Sequence, residues 1–277
     1  MNKVQFAYDL YGYMNWKAVS AKEIYTFLKF LKEDFVIRKD VKTELVELPA
    51  LKGINKYCLS VRTDEFAPWI LVHVDRIPVS EVYFSISEEH VSGQLDNVLG
   101  IAIVKQLIAA GVRVNILFTT SEEHCLSYKQ IDMYFRCFYP NKNPVLIDLD
   151  IDVFHDLTEF AGGEITIRDR DERAMFNRML VEKLRSIATE NSIPWLNLNT
   201  WTLVQMGLLC FYTNYTGAYV GIPVVNYHTG YEETYLTCVN NVFKLLYLFL
   251  NNNEYKGEQK NKEDTEEIYG ESLVLAI

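Results

Sequence analysis

The sequence predicts an α/β fold. Short apolar runs at residues 69–72, 114–118, 144–149 and 221–227 have the length of buried strands. Segments with apolar residues at helical spacing lie between them, the alternation expected of strands and helices layered around one sheet. Residues with acid–base or metal-binding chemistry stand where the apolar runs end, and the carboxyl ends of strands are where open α/β sheets bind ligands.

Composition narrows the function classes. The 277 residues are 49% hydrophobic and 13% aromatic, enough for a substantial core and unlike a disordered chain. The formal net charge of −10 argues against a nucleic-acid surface and disfavours anionic membranes. Cys58, Cys125, Cys137, Cys210 and Cys238 are odd in number and lack C-x-x-C spacing, so they read as reduced, mostly buried thiols of a cytoplasmic protein. The first seventeen residues contain no apolar signal core, and the apolar run at 242–250 is too short to cross a bilayer.

In chain order, Ser20-Ala21-Lys22-Glu23 has the form of a capping box, and Ile24, Phe27, Leu28 and Leu31 place a helix over 21–33. Residues 35–48 alternate like a strand pair at a sheet edge, and 57–61 reads as another strand. The run 69–72 leads into His73-Val74-Asp75, where His73 and Asp75 share one face of an extended segment. An imidazole there suits a metal and a nearby carboxylate can orient it, although a lone histidine beside a turn is more often simply hydrogen-bonded. A strand at 81–86 follows. Gly93-Gln94-Leu95-Asp96-Asn97 then precedes a helix that stops at Gly111, so Asp96 is either an ordinary helix cap or a carboxylate presented from a loop.

The run 114–118 ends at Thr119-Thr120-Ser121-Glu122-Glu123. Adjacent carboxylates point different ways, so one can hold a metal while the other moves a proton; alone, such a pair usually just opens a helix. Asp148, Asp150 and Asp152 alternate at the end of the run 144–149, and three acids on one strand face call for a cation. A strand at 164–168 precedes a helix at 173–190 with Met175, Met179, Leu180, Leu184 and Ile187 on its apolar face. Residues 195–198 are extended. The run 221–227 ends at His228, and a helix follows over 233–250. Beyond residue 250 the polar composition predicts a mobile tail, and no linker or repeat divides residues 1–250.

His73, Asp96, Glu123, Asp150 and His228 thus all fall at strand ends or helix starts, and two imidazoles with three carboxylates suit a pair of zinc ions sharing one carboxylate. The order is similar to that of the co-catalytic dizinc exopeptidases, the leucyl and glutamyl or deblocking aminopeptidase-like families and their carboxypeptidase relatives. The matching segments are Leu71-Val72-His73-Val74-Asp75, Gly93-Gln94-Leu95-Asp96-Asn97, Phe118-Thr119-Thr120-Ser121-Glu122-Glu123, Leu146-Ile147-Asp148-Leu149-Asp150, Gly221-Ile222-Pro223-Val224 and Tyr227-His228-Thr229. The resemblance implies a three-layer αβα fold with a central mixed, mostly parallel sheet. It implies that His73 and Asp150 hold one zinc, Glu123 and His228 the other, with Asp96 bridging, although Asp148 shares the strand face of Asp150. Cobalt or manganese are possible substitutes for zinc. Glu122 becomes the general base and Asp75 the support of His73. The substrate implied is a peptide cut at one end, most simply by an aminopeptidase, with a homo-oligomer possible; the alternatives are an amidohydrolase of acylated amino acids, a glutaminyl cyclase relative, or a metal-binding pseudoenzyme. Only twenty-two residues separate His73 from Asp96, so the chain resembles a bare catalytic domain.

Overall fold

The computed structural model describes residues 1–48, 56–140, 143–198 and 203–252. Helices α1 (Lys3–Met14) and α2 (Ala21–Asp34) open the chain, followed by strands β1 (Lys42–Glu47), β2 (Tyr57–Arg62), β3 (Trp69–His73), β4 (Ser85–Ile86) and β5 (His90–Gly93). Then come α3 (Val98–Ala109), β6 (Asn115–Thr119), α4 (Ser127–Phe138), β7 (Leu146–Val153), β8 (Ile165–Arg168), α5 (Arg178–Glu190) and β9 (Trp195–Leu196). Helix α6 (Gln205–Tyr212), β10 (Gly217–Val224), β11 (Glu232–Tyr235) and α7 (Leu236–Asn251) complete the described part.

Eight strands form one sheet in the order β1-β2-β6-β3-β7-β10-β8-β9, and β11-β5-β4 form a small second one. The central strands β6, β3, β7 and β10 are mutually parallel, whereas β1/β2, β2/β6 and β10/β8 are antiparallel. The four parallel strands therefore present their carboxyl ends along one sheet edge. They are buried on both faces, as the near-continuous apolar runs require.

The register assigns the two faces. Leu71 lies beside Asp148, and the alternation of β7 points Asp148, Asp150 and Asp152 to one side of the sheet. There α6 packs against Asp148, with Gln205 and Met206 bonded to it, and α4 packs next to α6 through the stacked rings of Tyr128 and Tyr212. On the opposite side α3 packs against Val72 so closely that a Cβ at Gly100 would stand 3.1 Å from a Val72 methyl; α7 lies next to α3, and α5 next to α7. The result is the expected three-layer αβα arrangement around a mixed, mostly parallel sheet.

Helix α2 begins with the full capping box at Ser20 and Glu23. Gly111 closes the turn after α3 with a φ of 84°. Several elements differ from expectation for local reasons. Residues 35–48 contribute one strand, because β1 pairs with β2 rather than with its own flank. Only Ser85–Ile86 of the 81–86 run is a strand. Helix α5 starts at Arg178, because Asp171 captures the backbone N–H groups of Arg173 and Ala174 in a turn and Asn177 then caps the helix. Met175 and Met179 are consequently exposed, at 67% and 78%, and do not join the apolar face. Residues 232–235, read partly as helix, form β11 against β5, and α7 begins at Leu236. Cys125 and Cys137 are exposed rather than buried, and all five cysteines are free thiols. The polar tail falls, from residue 253 on, outside the described residues. No helix among those described is long and apolar enough to cross a membrane.

A buried ion cluster fixes the N-terminal helices. Lys105 on α3 donates to Asp9 of α1 at 2.9 Å and to both oxygens of Asp34 of α2 at 2.8 Å, and Tyr13 donates to Asp34 at 2.6 Å. Removing one partner of a buried pair leaves the others uncompensated. Lys105→Met is expected to cost about 3–5 kcal/mol of stability, read from the shift in a urea unfolding curve. A loss below about 1 kcal/mol, the range of a screened surface pair, would show that the cluster adds little to the docking of α1 and α2.

Candidate metal centre

Each candidate ligand is placed by the edge where the parallel strands end. His73 is the last residue of β3, and continuing the β3/β7 register from Leu71 beside Asp148 sets it next to Asp150. Glu122 and Glu123 occupy the turn after β6, Asp96 lies between β5 and α3, and His228 lies between β10 and β11. All five residues read from the sequence as ligands converge.

His73 Nε2 stands 2.9 Å from Asp96 Oδ1 and 3.2 Å from Asp150 Oδ1. His228 Nε2 stands 3.2 Å from Glu123 Oε2 and 3.6 Å from Asp96 Oδ2. The two oxygens of Asp96 therefore face two different histidines. One potential ligand atom from each of His73, Glu122 and Asp150 lies within 4.8 Å of the others, and the same holds for His73, Asp96 and Glu123. His73, Asp96 and Asp150 are buried, whereas Glu122, Glu123 and His228 are half-buried and open the site to solvent.

The surrounding groups fix these side chains. His73 Nδ1 lies 3.1 Å from the backbone oxygen of Asp75 and 3.8 Å from its carboxylate, so Nε2 is the nitrogen turned to the acids. The Asp75 carboxylate accepts the backbone N–H groups of Glu122 and Glu123, each at 3.2 Å. It thereby anchors both the β3 exit and the Glu122–Glu123 turn, which Ser121 enters with a φ of 65°. Asp148 is engaged elsewhere, accepting from Gln205 Nε2 at 2.6 Å and Met206 N at 3.0 Å, while Gln205 in turn accepts from Thr119. Asp150, not Asp148, stands against His73. Asp152 is bonded by Arg168, Thr166 and Tyr219, so only the middle acid of the triplet faces the centre. Tyr227 stacks on the His228 ring with centroids 3.6 Å apart, whereas Tyr215 packs against Phe135.

Electrostatics mark the place as one built for positive charge. Burial pushes Glu122 well above the ordinary carboxylate range, with Asp150, Glu123 and Asp75 adding to the shift, and burial likewise raises Glu123 and Asp150. Burial opposes the His73 imidazolium, but Asp150 and Asp96 override it and hold its pKa well above the usual value. Burial also opposes the charge on His228, which Asp96 and Glu123 nevertheless lift to about 9. Asp96, between the two imidazoles, falls to about 2 despite its burial. Two buried atoms, Glu123 Oε1 and His228 Nε2, have no hydrogen-bond partner; the Glu123 oxygen nearest His228 lies outside hydrogen-bond geometry. A cation coordinated by both satisfies what the protein leaves open. The donor set of imidazole nitrogens and carboxylate oxygens fits a divalent metal.

Other residues supporting the site were not marked by the sequence. Arg76, just past β3, is buried and donates to the backbone oxygens of Tyr13 and Trp16. Glu232 is buried and bonds the backbone on both sides of the site. Their only sequence signal is nearness to a candidate ligand: Arg76 comes three residues after His73 and Glu232 four after His228.

No protein-family profile and no curated protein matches the sequence. Solved structures do match. An aminopeptidase from the archaeon Desulfurococcus kamchatkensis superposes with a TM-score of 0.69 at 12% identity, over 90% of this chain and 95% of that one. The TET aminopeptidase of a marine-sediment Thaumarchaeota archaeon gives 0.69 at 12%, over 91% and 97%. The TET1 peptidase of Pyrococcus horikoshii, described as assembling into a tetrahedron or a large octahedral shell, gives 0.63 at 14%, over 88% and 99%. The chain thus has the fold of the TET and other aminopeptidases and, at the edge where its parallel strands end, carries grouped His, Asp and Glu side chains able to hold a metal ion.

Proposed function

We propose that the chain is a zinc-dependent exopeptidase of the aminopeptidase type, its catalytic domain spanning residues 1–250. The observation that carries this reading is Asp96, whose oxygens divide between His73 and His228. His73, Asp150 and Asp96 Oδ1 would hold one zinc; His228, Glu123 and Asp96 Oδ2 would hold the other. When bound, the metal pair supplies Lewis-acid polarisation of the scissile carbonyl and an acidified water. Glu122 stands among these ligands, with an oxygen within 4.8 Å of His73 and Asp150, and is assigned here to the water rather than to the metal. Its burial among other acids makes it a stronger base than an exposed glutamate. In this reading Glu122 accepts the proton of the attacking water and returns it to the leaving amine. Asp75 orients His73 and, through two backbone N–H groups, sets the position of Glu122. The open side of the site, at Glu122, Glu123 and His228, is where a peptide end enters.

Metal content is the first test. The purified chain is expected to bind about two zinc ions, and His228→Ala about one, since His228 serves only one of the two. Retention of two by the variant would remove His228 from the ligand set. The fold similarity to a shell-forming peptidase also favours self-association; sedimentation giving only a monomer at working concentration would discard that part of the reading.

The two glutamates separate catalysis from metal binding. Glu122→Gln keeps the shape but cannot take the proton, so kcat should fall by about 10²–10⁴ with metal content unchanged. Glu123→Gln should lose metal first, and excess zinc should restore part of its turnover. Free-amine and acylated peptides assayed side by side decide between an aminopeptidase and an amidohydrolase. Full turnover of free-amine peptides in both glutamine variants would remove the catalytic role of this turn.

A further inference from the structure

Glu232 opens β11 and is completely buried. Its Oε2 accepts the backbone N–H groups of Leu95 at 2.5 Å and Asp96 at 3.0 Å, and its Oε1 accepts that of His228 at 2.8 Å. None of these three N–H groups lies in a strand or helix: Leu95 and Asp96 connect β5 to α3, and His228 sits in the connection from β10 to β11. One carboxylate therefore ties together the two segments that present Asp96 and His228.

The His228 segment needs such a tie. Asn226 and His228 have φ values of 58° and 60°, in the left-handed region. That conformation is unfavourable for a residue such as His228, though less so for Asn226, and persists only where the surroundings hold it. The price of the tie is also visible, because a second carboxylate is buried near Asp96 with Arg76 as the neighbouring buried cation. A glutamine could not replace it, since its NH₂ end would meet an N–H donor instead of accepting from it. By contrast, His73 and Asp150 stand on regular strands whose ladders hold them without Glu232.

We propose that Glu232 is a positioning residue for one metal of the pair, the one whose ligands are Glu123, His228 and Asp96. It acts by fixing the backbone from which His228 and the shared Asp96 project. This inference rests on the dimetal reading given above. It adds an asymmetry: loss of Glu232 should weaken the Glu123–His228 metal more than the His73–Asp150 metal, which shares Asp96 but keeps two ligands on regular strands.

Metal-free wild type, Glu232→Gln and Glu232→Asp are titrated with zinc in competition with a chromophoric chelator, and the visible spectrum is followed during cobalt loading. Circular dichroism and urea unfolding of the metal-free proteins run alongside. The wild type is expected to bind two ions. Glu232→Gln should weaken the second ion about 10–100-fold, the usual effect of losing an outer-shell partner, and the first by clearly less. Glu232→Asp keeps the charge but is one methylene shorter, so its second affinity should fall between the two. A purely structural role would lower stability and leave both affinities equal to wild type in the folded protein, which overturns the proposal. Equal weakening of both ions overturns it as well. If Glu232→Gln does not fold, Glu232→Asp decides alone, and wild-type binding of its second ion sinks the idea. A wild type that binds no zinc brings down the dimetal reading and this inference with it, whereas two ions bound equally well by all three proteins removes only the role of Glu232.

Discussion

The structure depends on how it disposes of buried negative charge at one end of its central sheet. Asp75, Asp96, Glu122, Glu123, Asp148, Asp150, Asp152 and Glu232 are all buried or half-buried there. Carboxylates gathered away from water are costly unless each finds a donor or a cation. The chain sorts them. Asp152 takes Arg168, Asp148 takes Gln205 and the N–H of Met206, Asp75 takes the N–H groups of the Glu122–Glu123 turn, and Glu232 takes those at residues 95, 96 and 228. The remaining four turn towards the two imidazoles, and unpartnered atoms on Glu123 and His228 remain among them. Acids serving only structure would be neutralised one by one. Here the acids tied to backbone and side-chain donors form a scaffold around Asp96, Glu122, Glu123 and Asp150, an arrangement that suits a metal centre.

The same logic extends to the periphery. Helix α1 is held in its middle and at its C-terminal end by buried cations from other elements. Lys105 binds Asp9 in its body, and Arg76 caps the oxygens of Tyr13 and Trp16 at its C-terminal end, where intrahelical partners run out. Burial lowers Arg76 to about 10, and the nearby Asp96 and Glu232 oppose that shift. Gly221 on β10 serves the layer beneath the site. A Cβ there would stand 2.1 Å from Thr166 Oγ1 and 2.2 Å from a carboxylate oxygen of Asp152, so the position admits no side chain without displacing the network around Arg168.

Much of this was legible in the sequence, and the pattern of what was not has physical causes. Strands β3, β6, β7 and β10 are fully buried, so their apolar runs stand out, and each run stops near the residue that matters: His73, the Glu122–Glu123 turn, Asp150 or His228. Helix α2 was legible because its capping box is written in four adjacent residues. Helices α4 and α6 are preceded by Leu126 and Val204, which offer no side-chain cap, and α6 is short and apolar, so neither has a start signal. Strand β11 exists because it pairs with β5 some 140 residues earlier, as in Glu232 beside Gly93, which a local window cannot see. The same holds for Glu232, whose donors are distant in sequence or hidden in the backbone. Candidate ligands at strand ends could be read directly, whereas Arg76 and Glu232, which hold backbone in place, needed the tertiary structure.

The functional reading has to come from the site, because a shared fold at 12–14% identity fixes architecture and leaves chemistry open. Fold similarity alone would be equally compatible with a chain whose strand ends had lost their ligands. What distinguishes this chain is the division of Asp96 between two histidines. A carboxylate serving one imidazole needs one oxygen directed at it. Both oxygens of Asp96 are so directed, at 2.9 and 3.6 Å, from a residue whose own backbone is held by a further buried acid. Hydrogen bonding accounts for the shorter contact, whereas His228 Nε2 approaches Glu123 and Asp96 at 3.2 and 3.6 Å as an ion pair without hydrogen-bond geometry to either. The bridging role proposed for Asp96 is consistent with both contacts, since each of its oxygens is directed at a different imidazole.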